Sequence, residues 1–135
     1  MKKILIVALA AFVLSACADK KKQGELILDS IIKVHDKVMS ADEQLMKNKM
    51  KLDTLLKQAN LPGKDTAILV HKKLVLADSV MDNWMHKFDP EHKGKTDDEA
   101  ITYLNDQKKQ VIAIDSQINV AVTESTQYLL KLKAK

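Results

Sequence analysis

The sequence predicts an all-α protein: a long antiparallel up-down-up bundle of three helices, following a cleaved signal peptide. Apolar residues recur at alternating spacings of four and three along three segments, which is the period of a helix that buries one face. Three glycines, two prolines and 4% aromatic residues leave little material for β-structure. The connections between the segments are short, so neighbouring helices should run antiparallel.

Residues 1–16 have the pattern of a secretory signal peptide. Lys2 and Lys3 supply a positive start, residues 4–14 contain no charge or turn former, and small residues precede Cys17. The apolar run is shorter than the roughly 20 residues that a membrane-spanning helix needs. We therefore expect cleavage of this segment rather than a transmembrane anchor.

Cys17, the only cysteine, ends the sequence Leu14-Ser15-Ala16-Cys17, which resembles the lipobox of bacterial lipoproteins. The resemblance implies cleavage before Cys17, diacylglycerol on its thiol and acylation, for example by palmitate, of the new amine. Several acyl chains on one residue make a stable membrane anchor, whereas a single chain holds only marginally. The alternative is an ordinary signal peptide followed by a cysteine without a lipid.

The composition of the mature chain excludes some function classes. Cleavage would leave 119 of the 135 residues, the size of one domain, without a second cysteine for a disulfide. All 22 basic residues are lysines, and the 20 that follow the signal peptide face 18 acids, so the mature chain is nearly neutral. The absence of arginine argues against nucleic-acid recognition.

Residues 17–23 are expected to form the lipidated cysteine and a polar tether that ends near Gly24. Its lysines, residues 20–22, lie within reach of lipid headgroups. They either contact anionic lipid or remain solvated. In both cases the folded domain, residues 24–135, should sit close to the membrane.

The first helix is expected over about residues 24–60 and should end at the Pro62-Gly63 turn. Ser40 and Glu43 form a capping-box pattern, so a kink or break near Ser40 is an alternative. The apolar seam keeps its register through this point, which favours a continuous helix. The seam consists of Ile27, Ile31, Val34, Val38, Ala41, Leu45, Asn48, Leu52, Leu55 and Ala59.

The second helix is expected over about residues 65–88, ending at Asp89-Pro90 because the residue before proline disfavours helical geometry. Its seam is entirely apolar and consists of Ala67, Val70, Leu74, Ala77, Met81, Trp84 and Phe88.

The third helix is expected over about residues 97–133, with Thr96 and Glu99 as a capping box at its start. Its seam consists of Ala100, Leu104, Gln107, Val111, Ile114, Ile118, Ala121, Ser125, Tyr128 and Leu132.

Residues 34–39 (VHDKVM), 77–88 (ADSVMDNWMHKF) and 99–104 (EAITYL) resemble segments of small Bacteroidota lipoproteins, some labelled "viral A-type inclusion protein". The label reflects coiled-coil similarity, and the family has no established activity. The resemblance implies no catalytic residue. Relatives often have proline near the position of Ser40, which favours a kink there.

The three helices differ in expected length, about 54 Å for the first and about 36 Å for the second. A short second helix would leave apolar side chains uncovered at both ends of the bundle. At the membrane end these are Ile27, Leu28, Ile31 and Ile32; at the far end they are Tyr128, Leu129, Leu130 and Leu132. We expect Tyr128, Leu129 and Leu132 to contact a partner, unless a bent helix or a frayed tail covers the excess.

No catalytic, cofactor-binding or metal-binding residue is assigned. The antiparallel arrangement could bring His35 near His86 and His92, but no pair has the spacing of four residues that fixes two ligands on one helix.

The expected function is that of a non-enzymatic structural or interaction module in the cell envelope. Its partners are membrane lipid through Cys17 and either another protein or itself, without nucleic acid or cofactor. Ala18, rather than aspartate, follows the lipid site, and by resemblance to the enteric sorting rule this favours the outer membrane. The alternatives are a periplasm-facing ligand binder or holdase-like chaperone and, more weakly, a metal-binding bundle.

Overall fold

The protein is a bundle of three packed helices, as predicted. The structure, a computed structural model, describes the backbone of residues 2–134 and the side chains of residues 19–134. The helices are α1 (Lys2–Leu56), α2 (Lys64–Lys87) and α3 (Asp97–Lys133), and each contacts the other two. The described part contains no strand, and none of its helices has the length and apolar character needed to span a bilayer. The Cys17 side chain, and with it the expected lipid site, lies outside the described side chains.

α1 and α3 run parallel and keep one register along the bundle. Cross-helix polar contacts near the start, middle and far end of α3 join residues that are 78 positions apart. A constant offset means that neither helix slides or diverges relative to the other. The contacts are Lys20 Nζ–Asp98 Oδ2 at 2.7 Å, Lys37 Nζ–Asp115 Oδ2 at 2.7 Å and Asn48 Nδ2–Thr126 Oγ1 at 2.8 Å.

The predicted seams form the core. On α2 every seam residue from Ala67 to Trp84 is buried, and Phe88 is half-buried. On α1 the seam is buried or half-buried from Ile27 to Leu55, and only Ala59 is exposed. The fully buried side chains, which carry most of the hydrophobic stabilisation, include Ile31, Leu45, Leu52, Leu74, Leu104 and Ile118.

Residues 17–23, which were expected to form a polar tether, instead continue α1 as a helix. Lys20 pairs with Asp98 at the start of α3, which ties this segment to the bundle. Gly24 does not end the segment but lies buried within α1, where an added Cβ would meet Leu104 Cδ1 at an ordinary 3.8 Å. The folded part therefore begins within a few residues of Cys17.

α1 is continuous through Ser40, so the alternative of a break is not realised. The Ser40 hydroxyl donates to the carbonyl oxygen of Asp36 at 2.9 Å. Its hydrogen-bonding capacity is thus used one turn back within the same helix instead of at a new N-terminus.

α1 ends at Leu56, four residues before the expected end. Leu61 in the following turn is buried and closes the core in place of Ala59. The chain reverses at Gly63, which precedes α2 with φ 68° and ψ 34°, in the left-handed region where glycine avoids Cβ strain.

The predicted capping box of α3 is present. The Thr96 hydroxyl accepts a hydrogen bond from the backbone N–H of Glu99, and the Glu99 carboxylate accepts one from the backbone N–H of Thr96 at 2.8 Å. α2 ends at Lys87, one residue before its expected end, with Phe88 as an extended cap before Asp89-Pro90.

Candidate binding surfaces

The far end of the bundle does not overhang as expected. The offset of 78 places Leu56, the end of α1, level with Ala134, so α1 and α3 end together. Leu129 is buried, and Tyr128 is half-buried, with its hydroxyl donating to the carbonyl oxygen of Gly63 at 3.2 Å. Leu132 is also half-buried. The three residues expected to contact a partner therefore belong mainly to the closed end of the core.

A groove lies between α1 and α3 near this end, and we call it the distal groove. Its volume is about 660 Å³, and no residue of α2 lines it. Met50 and Leu130, 66% and 60% exposed, flank a floor that includes Leu129. The complete lining consists of Gln44, Asn48, Met50, Lys51, Thr54, Leu55, Thr126, Leu129, Leu130, Leu132 and Lys133.

A buried polar layer borders the groove. Asn48 is 1% exposed, and its amide donates to Ser125 Oγ and Thr126 Oγ1, both at 2.8 Å. Its carbonyl oxygen accepts from Gln44 Nε2 at 2.7 Å. Ser125 in turn donates to the carbonyl oxygen of Val122 at 3.0 Å. Asn48 on the seam of α1 and Ser125 on the seam of α3 thus meet each other.

The end of the bundle that contains Gly24 and Leu28 is better covered than expected. Ile31 is fully buried. His92, in the loop between α2 and α3, borders a small cavity of about 140 Å³ together with Gly24 and Leu28. The loop therefore lies against α1 near Gly24 and Leu28, and Ile32 is left as the exposed member of the expected patch.

The histidines do not form a metal centre. His35 Nδ1 lies 3.2 Å from Asp36 Oδ1, and His86 Nδ1 lies 2.8 Å from the carbonyl oxygen of Asp82. In the described part of the chain, no group of three or more histidine, cysteine, aspartate or glutamate residues is placed to hold a metal ion.

His71 Nε2 lies 2.7 Å from Asp53 Oδ1, and this contact links α2 to α1. The two residues lie outside the apolar seams, and the seam pattern therefore does not signal their contact.

An aromatic cluster closes the core near the α2–α3 loop. Trp84 and Phe88 stack with ring centroids 4.8 Å apart, and Tyr103 lies 6.4 Å beyond Phe88. The Tyr103 hydroxyl accepts from the backbone N–H of Asp89 at 2.8 Å, and the Lys95 ammonium lies 4.9 Å from the Tyr103 ring centroid. These contacts fix the loop against the helices.

A second apolar surface lies on α2 and α3, and we call it the outer apolar face. It consists of Leu69, Leu76, Ile112 and Val120, each between 47% and 57% exposed. Leu76 and Val120 border one shallow groove of about 370 Å³, and Ile112 and Val120 border another of about 470 Å³. These residues lie off the core seams, so the seam pattern does not signal them.

The pKa values of a few carboxyl groups are shifted from their ordinary values. Burial, and secondly the negative charge of Asp78, raise the pKa of Asp42, while Lys49 opposes this effect. The backbone N–H of Thr96, followed by its hydroxyl, lowers the pKa of Glu99. These shifts arise from helix packing and capping.

No protein-family model matches the chain, and the comparisons with curated proteins and with solved structures also find no match.

Proposed function

We propose that the protein is a lipid-anchored component of the bacterial cell envelope that acts as a non-enzymatic interaction module. The observation that carries the proposal is the sequence Leu14-Ser15-Ala16-Cys17 after an apolar N-terminal run. Lipid on Cys17 would hold the mature chain at a membrane surface. Ala18 after the lipid site favours the outer membrane.

The geometry near Cys17 supports a bundle that stands directly on its anchor. Gly24 is already buried, and Lys20 is paired with Asp98, so little free chain separates the lipid site from the core. At 1.5 Å per residue, residues 17–56 of α1 extend about 60 Å. An upright bundle would present its far end well away from the membrane.

The outer apolar face supports the interaction role. Three of its four exposed aliphatic side chains, Leu76, Ile112 and Val120, border two grooves that share Val120, and contiguous exposed apolar surface is a feature of protein-binding sites. Lys73 Nζ pairs with Glu124 Oε2 at 2.6 Å beside it, which supplies a charged rim. We assign this face, rather than the closed far end, as the surface for a protein partner.

Cys17→Ser tests the anchor. The variant should lose incorporation of labelled palmitate and move from the membrane to the soluble fraction of cells, while the wild type stays with the membrane. Unchanged labelling and fractionation would contradict lipidation at this residue.

Crosslinking in cells tests the interaction role. A photoreactive residue in place of Leu76 or Val120 should give one discrete crosslinked product, and the same residue in place of exposed Lys33 on α1 should not. Equal yields at the three positions would contradict a specific partner on the outer apolar face. A product of twice the mass of the chain would identify the partner as a second copy.

The second candidate, a ligand binder, is favoured by the distal groove. Its volume of about 660 Å³ falls within the range of roughly 300–1,000 Å³ that is typical of small-molecule sites. The metal-binding alternative has no such supporting observation in the described part of the chain.

A further inference from the structure

We propose that the distal groove binds one free single-chain anionic amphiphile, such as a fatty acid. The proposal combines an apolar lining with two lysines that pair with no carboxylate among the described side chains. It is independent of the outer apolar face, which lies on α2 and α3 and shares no residue with the groove.

The shape of the groove suits one extended aliphatic chain. From Gln44 to Leu55 it follows α1 for about 17 Å, at 1.5 Å per residue. Leu129 and half-buried Leu132 lie along it, and Met50 adds a flexible apolar wall. Methionine side chains adapt to varied apolar surfaces, so the groove can close around a chain without a specific branching pattern.

The charge of the groove selects an anionic headgroup. Among the described residues that line the groove, Lys51 and Lys133 are the ionisable ones. Within the described side chains neither lysine lies within ion-pair distance of a carboxylate, whereas Lys37, Lys49 and Lys73 pair across helices. A carboxylate in the groove would supply the missing counter-charge.

A hydrogen-bond donor accompanies the two ammonium groups. The Thr126 hydroxyl accepts from Asn48 Nδ2, and among the described residues its own proton has no acceptor. The half-buried hydroxyl can donate to an oxygen of the ligand. The groove therefore offers a polar contact as well as charge to a headgroup.

The same charges oppose a second copy of the chain as occupant. In a two-fold contact each surface meets itself, so Lys51 and Lys133 would face the same lysines of the other copy. The described lining residues include no carboxylate that could offset this repulsion. A small anion with an apolar tail would pair with the two lysines and bury its tail against the apolar lining.

Photoaffinity labelling tests the proposal on the full-length chain in nanodiscs of neutral phospholipid. A palmitate probe with a diazirine on its acyl chain should label peptides that contain Met50 and Leu130. Excess palmitate should suppress the labelling, and hexadecanol, which lacks the charge, should compete several-fold more weakly. Within a series of competitors from octanoate to palmitate, potency should rise about two- to fourfold per methylene until the groove is filled.

Matched lysine variants separate the site from non-specific partitioning. Lys51→Gln with Lys133→Gln should lower the labelling about two- to tenfold, since exposed charge pairs contribute modestly. Lys33→Gln with Lys72→Gln, which removes two exposed lysines elsewhere, should leave it unchanged. All four lysines are exposed, so circular dichroism should report the same helical content and melting temperature for both double variants.

Leu130→Glu gives a second, independent perturbation. Leu130 is exposed, so the variant should fold normally, but it places a negative charge at the groove and should abolish most of the labelling. Labelling spread over Leu69, Leu76 and Ile112, equal competition by alcohol and acid, or unchanged labelling of the lysine variant would each overturn the proposal. A concentration-dependent dimer that protects Met50 and Leu130 would overturn it in favour of a second copy.

Discussion

Replacement of Asn48 by alanine tests how the polar layer contributes to the bundle. Asn48 is fully enclosed between α1 and α3, and its amide makes two 2.8 Å hydrogen bonds to hydroxyl groups on α3. The substitution removes both bonds and the volume of the amide. Ser125 keeps its bond to the carbonyl oxygen of Val122, so no buried hydroxyl is left without a partner.

The expected loss follows from these contacts. Two interhelical hydrogen bonds at a net value of about 1 kcal/mol each, with the lost packing, give a decrease of about 2–3 kcal/mol in the free energy of unfolding. For a domain of this size that corresponds to a decrease of about 6–15 °C in melting temperature. Urea unfolding followed by circular dichroism measures the first quantity, and thermal unfolding measures the second.

Ser125→Ala is the matched control, because Asn48 can still donate to Thr126. It should cost less than half as much as Asn48→Ala.

Asn48→Leu should preserve or raise stability while it weakens the fixed register, since one buried asparagine at a seam position specifies alignment at a cost in stability. Near-ultraviolet dichroism of Trp84 reports the loss of fixed packing. A loss below about 0.5 kcal/mol for Asn48→Ala would refute the reasoning, since each buried hydrogen bond is expected to contribute about twice that amount.

Three further substitutions test local features. Gly63→Ala should destabilise by about 1–2 kcal/mol in urea unfolding, because φ of 68° forces an L-residue into the left-handed region; a neutral effect would contradict this backbone strain. Gly24→Ala should instead stabilise by about 0.5–1 kcal/mol, because the position is helical and a Cβ has room beside Leu104; a loss in the same assay would show that α1 and α3 pack more closely than described. Glu99→Gln should remove part of the acid sensitivity of the protein. The pKa of Glu99 is held below its ordinary 4.5, so its stabilisation is present above that pH and is lost as the pH falls through the lower folded value. Urea midpoints at pH 5 and pH 3 should therefore differ less for the variant than for the wild type, and equal differences would contradict the role of this carboxylate.

The regular parts of the fold could be predicted from the sequence because the interactions that form them join residues close together in the sequence. The all-apolar seam from Ala67 to Trp84 is buried as its spacing indicates, and the Thr96–Glu99 pattern forms its capping box. Both features depend on residues one or two turns apart, and the helical period alone brings them together.

The ends of the bundle could not be predicted in the same way. Leu61 lies outside any helical period, yet the turn places it in the core after α1 ends at Leu56. The loop that brings His92 beside Gly24 covers a surface that helix lengths alone suggest is bare. Such coverage depends on the three-dimensional path of short irregular segments, which no seam describes.

The candidate surfaces were the least predictable part. The expected partner contact at Tyr128, Leu129 and Leu132 depends on how far α3 extends beyond its neighbours, and the level at which helices end depends on their relative register. Lys51 and Lys133 lie 82 positions apart in the sequence and acquire a joint role only through the packing of α1 against α3. The Cys17 side chain lies outside the described side chains, and its lipidation therefore stays a prediction.

The parallel course of α1 and α3 has a mechanical consequence. The chain enters the bundle at one end and leaves it at the other, so a pull between an anchored base and an object held at the tip would act along the helix axes. Such a load shears α1 past α3 and strains the contacts at Asp98, Asp115 and Thr126 together. The bundle should therefore resist a load along the helix axes far better than a load across them. A transverse load would break the same contacts one after another.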